Sequence, residues 1–157
     1  MRALISVSLC LLGIFMRATE ADTCPREWLQ YQGNCYGFFH KLLSWHEAEI
    51  DCQSYGRGTH LASILTPTET LIVSKYISAY KKEKHVDVWI GLHDTRHTGI
   101  WRWSDESTYN YNNWMRREPN NLWKSEYCVA LRASTEHKGW IDAVCKKPKA
   151  YMCKHEL

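Results

Sequence analysis

The spacing of apolar residues predicts two amphipathic helices in the first half of the chain. The first begins after Ser44, which forms a capping box with Glu47, and apolar residues then recur at helical spacing until Gly56 ends the helix. The second begins after Thr66, with Pro67 at its first position, where the missing N–H of proline is no loss. We therefore expect both helices to pack an apolar stripe against the rest of the protein.

The remaining apolar segments are short and rich in aromatic and β-branched residues, which is typical of strands. They cover residues 28–31, 34–39, 86–90, 101–103, 127–131, 140–141 and 150–153. Between residues 92 and 127 the chain is mostly polar and aromatic, and a loop of that length in a compact domain is usually functional. Residues 22–157 contain neither a linker nor an internal repeat, so we expect one domain.

The first residues are typical of a secretory signal peptide. A basic residue precedes an apolar run at 3–15, and the small residues Thr19 and Ala21 stand before a plausible cleavage site. The run is shorter than the roughly 20 apolar residues that a membrane-spanning helix needs, and no later segment approaches that length. We expect residues 1–21 to be removed and the remaining chain to be secreted.

The cysteine count fits an extracellular protein. Of seven cysteines, Cys10 lies in the expected signal peptide, which leaves an even number in the exported part. An even number in an oxidising compartment predicts a disulfide framework, with no cysteine left for an intermolecular bond. The spacing alone does not choose among the possible pairings. The formal net charge of +3 is too small to indicate nucleic-acid binding.

The order of cysteines, tryptophans and short motifs resembles the long form of the C-type lectin domain over nearly the whole exported chain. The residues that carry the resemblance are Cys24, Trp28, Cys35-Tyr36, Trp45-x-x-Ala48, Cys52, His60-Leu-Ala-Ser63, Trp89-Ile-Gly-Leu92, Trp101-x-Trp103-x-Asp105, Glu118-Pro-Asn120, Cys128, Trp140-x-Asp142-x-x-Cys145 and Cys153. Within that family, the chain is similar to the regenerating-islet lectins of the Reg IV type and to single-domain lectins of reptile venoms.

The resemblance implies an α+β fold with two helices, two small antiparallel sheets and a long ligand-binding loop. It also implies three disulfides, which are Cys24–Cys35, Cys52–Cys153 and Cys128–Cys145. In this family the domain binds carbohydrate and is not an enzyme. The sequence agrees, because it contains no nucleophile motif or phosphate-binding loop.

A calcium site follows from the same resemblance. In the family, a Glu-Pro-Asn triplet with a cis proline peptide places two side-chain oxygens on one calcium ion, which then binds two sugar hydroxyls. The matching residues here are Glu118, Asn120, Glu126 and Asp142, and all four offer the oxygen ligands that a hard cation requires. The triplet implies mannose-type glycans on glycoproteins or microbial surfaces as partners.

One position departs from the family pattern and leaves an alternative open. Ile141 stands where the family has an asparagine ligand, so calcium and glycan binding should both be weaker. The alternative is a protein that keeps the fold but binds its partner without calcium, through Trp123, Arg116, Arg117 and Lys124. Such a protein would be a calcium-independent Reg-like glycan binder, or a secreted ligand of a receptor or clotting factor as in venom-type relatives.

Three weaker patterns are not assigned as sites. Asp94 matches an acidic ligand of a second calcium position known in some members, but the further carboxylates of that position are missing. His93 and His97 have metal-like spacing without the glutamate of a zinc-protease helix. Residues 154–157, Lys-His-Glu-Leu, resemble an endoplasmic-reticulum retrieval signal, but the adjacent Cys153 should tether them, so secretion is favoured.

Overall fold

The computed structural model describes residues 23–80 and 85–157, so the expected signal peptide at 1–21 lies outside the described residues. Both predicted helices are confirmed, and the strands fall close to the predicted segments. The elements are β1 (Leu29–Tyr31), β2 (Asn34–Leu43), α1 (Trp45–Gln53), β3 (His60–Leu61), α2 (Pro67–Ser78), β4 (Val88–His93), β5 (Arg102–Trp103), β6 (Cys128–Leu131), β7 (Trp140–Ala143) and β8 (Lys149–Glu156). Neither described helix is long and apolar enough to cross a bilayer.

The strands form one connected mixed sheet, in the order β1-β2-β8-β4-β6-β7, with β3 paired to β8 and β5 paired to β4. The expectation of two small antiparallel sheets needs this correction, because the strands belong to one sheet. Val88 and Trp89 of β4 pair in parallel with Ala150 and Tyr151 of β8, and this pairing joins the two antiparallel groups. The last strand therefore lies in the middle of the sheet, between the first long strand and the strands that support the long loop.

The helices begin where their capping residues predict. The Ser44 side chain accepts the N–H of Glu47, and the Glu47 carboxylate accepts the N–H of Ser44 at 2.9 Å, which completes the capping box of α1. At the start of α2, the hydroxyl of Thr66 accepts the N–H of Glu69 at 3.1 Å. Each of these bonds satisfies a backbone donor that the helix itself leaves free.

Replacing Ser44 by alanine should cost about 1 kcal/mol of unfolding free energy, because the first turn of α1 then loses an acceptor. Urea denaturation with the disulfides intact measures this loss. Ser134→Ala is the matched control, since that side chain is exposed and makes no hydrogen bond within the described chain. Equal stability of the two variants would show that the capping box does not stabilise this helix.

The three expected disulfides are confirmed, as Cys24–Cys35, Cys52–Cys153 and Cys128–Cys145. The second of these joins α1 to β8 across a sequence separation of 101 residues. In the loop-entropy model, a closed loop of that length corresponds to about 4.7 kcal/mol. The bond therefore holds the two ends of the domain together.

Close packing around β4 explains a glycine of the Trp89-Ile-Gly-Leu92 motif. A Cβ on Gly91 would lie 2.4 Å from the carbonyl oxygen of Leu61, a distance that real Cβ atoms do not adopt. The flanking residues Trp89, Ile90 and Leu92 are fully buried. Gly91 therefore lets β4 approach β3 while its neighbours fill the core.

A buried ion pair connects the last strand to the start of α2 and to the long loop. The ammonium of Lys154, which is 7% exposed, lies 2.7 Å from the Glu69 carboxylate and 3.0 Å from the Ser63 carbonyl oxygen. The hydroxyl of Ser63 in turn donates to Asp105, at the beginning of the long loop. Lys154 to Glu156 belong to β8, so the tetrapeptide that resembles a retrieval signal is largely held within the sheet.

Candidate functional site

The Glu-Pro-Asn loop has a sharply turned backbone. The Glu118–Pro119 peptide bond is cis, as the resemblance implies. Arg117, Asn121 and Lys124 have positive φ angles of 69°, 43° and 52°, a conformation that non-glycine residues seldom adopt. A single 3-10 turn at Leu122–Lys124 follows the triplet. The side chains of Glu118 and Asn120, on either side of the proline, contact each other through a hydrogen bond of 3.0 Å.

Asp142 and Glu126 anchor this loop through its backbone. Asp142, only 3% exposed at the centre of β7, accepts the N–H groups of Asn120, at 3.1 Å, and of Asn121. Glu126 accepts the N–H of Leu122 at 3.1 Å. Asp142 and Glu126, two of the four predicted ligands, therefore contact the loop segment that carries Glu118 and Asn120.

Glu118 completes a cluster of three carboxyl groups. Its Oε1 accepts the side-chain amide of Asn120 at 3.0 Å, whereas its Oε2 is buried without a donor in the described part of the chain. The pKa of Glu118 is raised to about 7, first by burial, then by the hydrogen bond that its protonated form shares with Asp142 and by the charges of Asp142 and Glu126, whereas a hydrogen bond from the Asn120 backbone opposes the rise. Acidic groups held this close favour either a proton or a cation.

The pKa of Glu126 changes in the same direction for the same reasons. Burial raises it, and the charge of Asp142 adds to the rise, whereas the N–H of Leu122 and the charges of Lys147 and Lys149 oppose it. Lys147 lies just before β8, and Lys149 is the first residue of that strand. Their influence on Glu126 was not predicted from the sequence, because both lysines are remote from the Glu-Pro-Asn triplet along the chain.

The donor set fits calcium in its chemistry. The four predicted ligands offer oxygen atoms, three of them from carboxylates, and one carboxylate oxygen has no hydrogen-bond donor. As the side chains stand, no group of three or more His, Cys, Asp or Glu residues within 23–80 and 85–157 could hold a metal ion. Both oxygens of the Asp142 carboxylate accept N–H groups of the loop.

Ile141 takes no part in this donor set. It pairs with Ala130 across β6 and β7, is half-buried, and packs against the core cluster that contains Trp45. It therefore offers no oxygen in place of the family's asparagine. Asn121 was not predicted from the sequence, yet its side-chain oxygen accepts the N–H of Glu126 at 3.1 Å and helps to hold that ligand in place.

The residues proposed as accessory contacts surround the loop. Arg116, Arg117 and Lys124 are all exposed, and none makes a side-chain hydrogen bond or ion pair in the described residues. The side chain of Trp123 lies outside what the structure describes. The three basic groups are thus accessible to a ligand at this loop.

The weaker sequence patterns do not form a second metal site within the described residues. The Asp94 carboxylate accepts the N–H groups of Thr98, at 2.9 Å, and of Gly99, at 2.8 Å, and so closes a turn. The ring of His97 stacks on Tyr127 with centroids 3.5 Å apart. His93 instead contacts Thr95 through Nδ1.

The raised pKa of Glu118 predicts a pH dependence of stability in the absence of calcium. The carboxyl group titrates near 4.5 in an unfolded chain and at about 7 in the folded protein. Between these values the folded state retains a proton that the unfolded state has lost, so a rise in pH across this window destabilises the fold. In chelator, the melting temperature of the wild type relative to Glu118→Gln should therefore fall from pH 4.5 to pH 7. A constant difference would contradict the clustered carboxyl groups.

Comparison with known proteins gives consistent matches over most of the chain. The family model for the lectin C-type domain matches residues 41–155. Regenerating islet-derived protein 4 of Rattus norvegicus is 38% identical over 133 residues, which cover 85% of this chain and 82% of the relative. A C-type lectin mannose-binding isoform of Oxyuranus scutellatus is 37% identical over 150 residues, which cover 96% and 94%.

A solved structure shows the same fold. The crystal structure of human lithostathine matches with a TM-score of 0.80 and 31% identity, covering 86% of this chain and 92% of that one. The sequence motifs, the three disulfides and these matches agree with one another. The chain belongs to the C-type lectin family, whose domains bind carbohydrate and are not enzymes.

Proposed function

We propose that this protein is a secreted lectin that binds one calcium ion through Glu118, Asn120, Glu126 and Asp142 and uses that ion to bind mannose-type glycans. The observation that carries the proposal is the cluster of three carboxyl groups around the Glu-Pro-Asn loop. One of them has a buried oxygen with no donor in the described residues, which is a position that a cation would satisfy. The exported domain would comprise residues 22–157.

The chain's own residues would perform distinct parts of this task. Glu118 and Asn120 would present oxygens from the loop, while Asp142 and Glu126 hold the loop backbone in place. Bound calcium supplies the coordination positions that two neighbouring sugar hydroxyls occupy. Because Ile141 contributes no oxygen, a water molecule or a backbone carbonyl must complete the shell, and we expect weaker calcium binding than in a domain with all five side-chain ligands.

Two observations support mannose-type sugars as the ligand class. The Glu118-Pro-Asn120 triplet is the pattern that the resemblance associates with mannose, and a relative 37% identical to this chain is a mannose-binding isoform. Glycoproteins and microbial surfaces present such sugars in many copies. Since a single site binds one monosaccharide weakly, repeated sugars would raise the effective affinity. The three disulfides are typical of an exported protein and support secretion.

Competitive elution from immobilised mannan in calcium buffer tests the sugar class. Methyl α-mannoside should release the protein at a lower concentration than methyl α-galactoside, because the proposed site selects the arrangement of two hydroxyls. Release by both sugars at the same concentration would contradict the mannose preference.

A further inference from the structure

A separate cavity of about 490 Å³ lies at the start of the long loop. Its walls come from the end of β4, from the connection at 94–101, from β5 and from residues 104–109, and it includes none of the proposed calcium ligands. This volume lies within the range of small-molecule binding sites. The Glu-Pro-Asn loop does not line it, and although Trp101 and Trp103 belong to one of the quoted motifs, that motif does not predict a cavity.

Two arginines at this cavity are free to bind a ligand. Arg96 and Arg102 both line it and are exposed, and neither makes a side-chain hydrogen bond or an ion pair with any described residue. A guanidinium group presents several N–H donors in one plane and pairs with a carboxylate through two parallel hydrogen bonds. The cavity therefore carries unused donors suited to a planar anion.

Aromatic rings supply the apolar part of the cavity. Trp101 and Tyr109 line it and are half-buried, and the hydroxyl of Tyr109 already accepts the indole N–H of Trp114 at 2.9 Å. Trp103, also in the lining, is 3% exposed, and its Nε1–H has no acceptor in the described part of the chain. A ligand that combines an apolar face with hydrogen-bond acceptors would complement these groups.

The acidic and titratable groups of the lining limit the charge that the cavity can accept. Asp94 is buried and its carboxylate is engaged by the turn at Thr98 and Gly99. Glu106 is exposed and forms no ion pair with either arginine, and burial lowers the pKa of His93, which favours its neutral form. The two arginines thus balance the charges of Asp94 and Glu106, so the lining has no net charge to attract a highly charged polyanion.

We propose that this cavity binds an acidic saccharide unit, a sugar ring bearing one carboxylate, without calcium. The carboxylate pairs with Arg102 and Arg96, and the face of the sugar ring packs on Trp101. The site uses no residue of the proposed calcium set, so it functions in chelator. A glycan that carries both a mannose-type residue and a uronic acid would then contact the long loop at two places.

Isothermal titration calorimetry with methyl β-glucuronide, in chelator, tests this site. The glucuronide should bind, and methyl β-glucoside, which has the same ring without the carboxylate, should bind at least about tenfold more weakly. Arg102→Ala and Arg96→Ala should each weaken glucuronide binding by about tenfold, because a charge-assisted pair is lost. Equal binding of the two sugars, or no binding of either, would overturn the proposal.

Two further variants distinguish binding at this cavity from a general electrostatic attraction to the protein. Glu106→Gln should strengthen glucuronide binding, because it removes a negative charge from the lining. Arg57→Ala is the matched control, since Arg57 is exposed and lies outside the cavity lining, and it should leave binding unchanged. Losses of similar size in Arg57→Ala and Arg102→Ala would overturn the assignment. Every titration contains chelator, so a failure to bind glucuronide would not bear on calcium-dependent mannose binding. The mannan experiments test that function separately.

Discussion

Replacing Glu118 by glutamine should lower the calcium affinity at least about tenfold and abolish retention on mannan in calcium buffer. Glutamine keeps the size of the side chain and one oxygen, but removes one negative charge from the cluster with Asp142 and Glu126. The folded calcium-free protein should be stabilised near neutral pH, because the unfavourable charge is absent. Calcium titration calorimetry and mannan chromatography measure the two binding effects independently of folding.

Glu136→Gln is the control for this change. Glu136 is an exposed acid that pairs with Lys138 at 3.0 Å, outside the Glu-Pro-Asn loop, so the variant makes the same chemical change without touching the cluster. It should retain the calcium affinity and mannan retention of the wild type. If Glu118→Gln binds calcium as tightly as this control does, Glu118 is not a ligand.

Replacing Lys154 by methionine should destabilise the fold by about 3–5 kcal/mol, because it leaves the Glu69 carboxylate buried without its cation. Glu69 retains the N–H of Leu65 and the hydroxyl of Tyr36 as donors, but no opposite charge. Lys154 also donates to the Ser63 carbonyl at 3.0 Å, so the start of the long loop loses support as well. Guanidinium denaturation with the disulfides intact measures this change in unfolding free energy.

The double variant Lys154→Met/Glu69→Gln distinguishes an unpaired charge from lost packing. Removing the charge of Glu69 as well should restore a large part of the lost stability, since an uncharged buried amide costs less than an unpaired carboxylate. A double variant less stable than Lys154→Met alone would show that the ion pair itself is not the source of the effect.

Local signals in the sequence predicted the helices well. Ser44 and Glu47 act within four residues of one another, and Thr66 and Pro67 fix the start of α2 in the same way. The strand β3, at His60–Leu61, was missed because two residues are too few to show an alternating pattern. Its partner on β8 lies far away along the chain, and no local pattern records that pairing.

The end of β8 shows why the remaining structure was harder to predict. The predicted strand stopped at residue 153, before a run of polar residues, whereas β8 continues to Glu156. Lys154 is buried because Glu69, 85 positions away, supplies its charge partner. The parallel pairing of β4 with β8, which joins the sheet, is likewise a contact between distant segments.

The candidate site was likewise only partly predictable from local sequence. The Glu118-Pro-Asn120 triplet is visible in the sequence, but its relation to Asp142 became a prediction only through the family resemblance. The structure brings these residues into contact through the N–H of Asn120. The cavity around Arg96 and Arg102 is lined by one continuous segment, residues 93–109, which includes Trp101 and Trp103 of a quoted motif, but no sequence pattern indicates that this segment encloses a cavity.

Stepwise elution from a mannan column tests the central claim most directly. The mature protein is loaded in calcium buffer, then washed first with chelator and afterwards with high salt. The calcium site at Glu118, Asn120, Glu126 and Asp142 predicts retention in calcium and complete release by chelator. Retention through chelator with release by salt, or no retention in calcium, would contradict it and would favour binding through the basic residues of the loop.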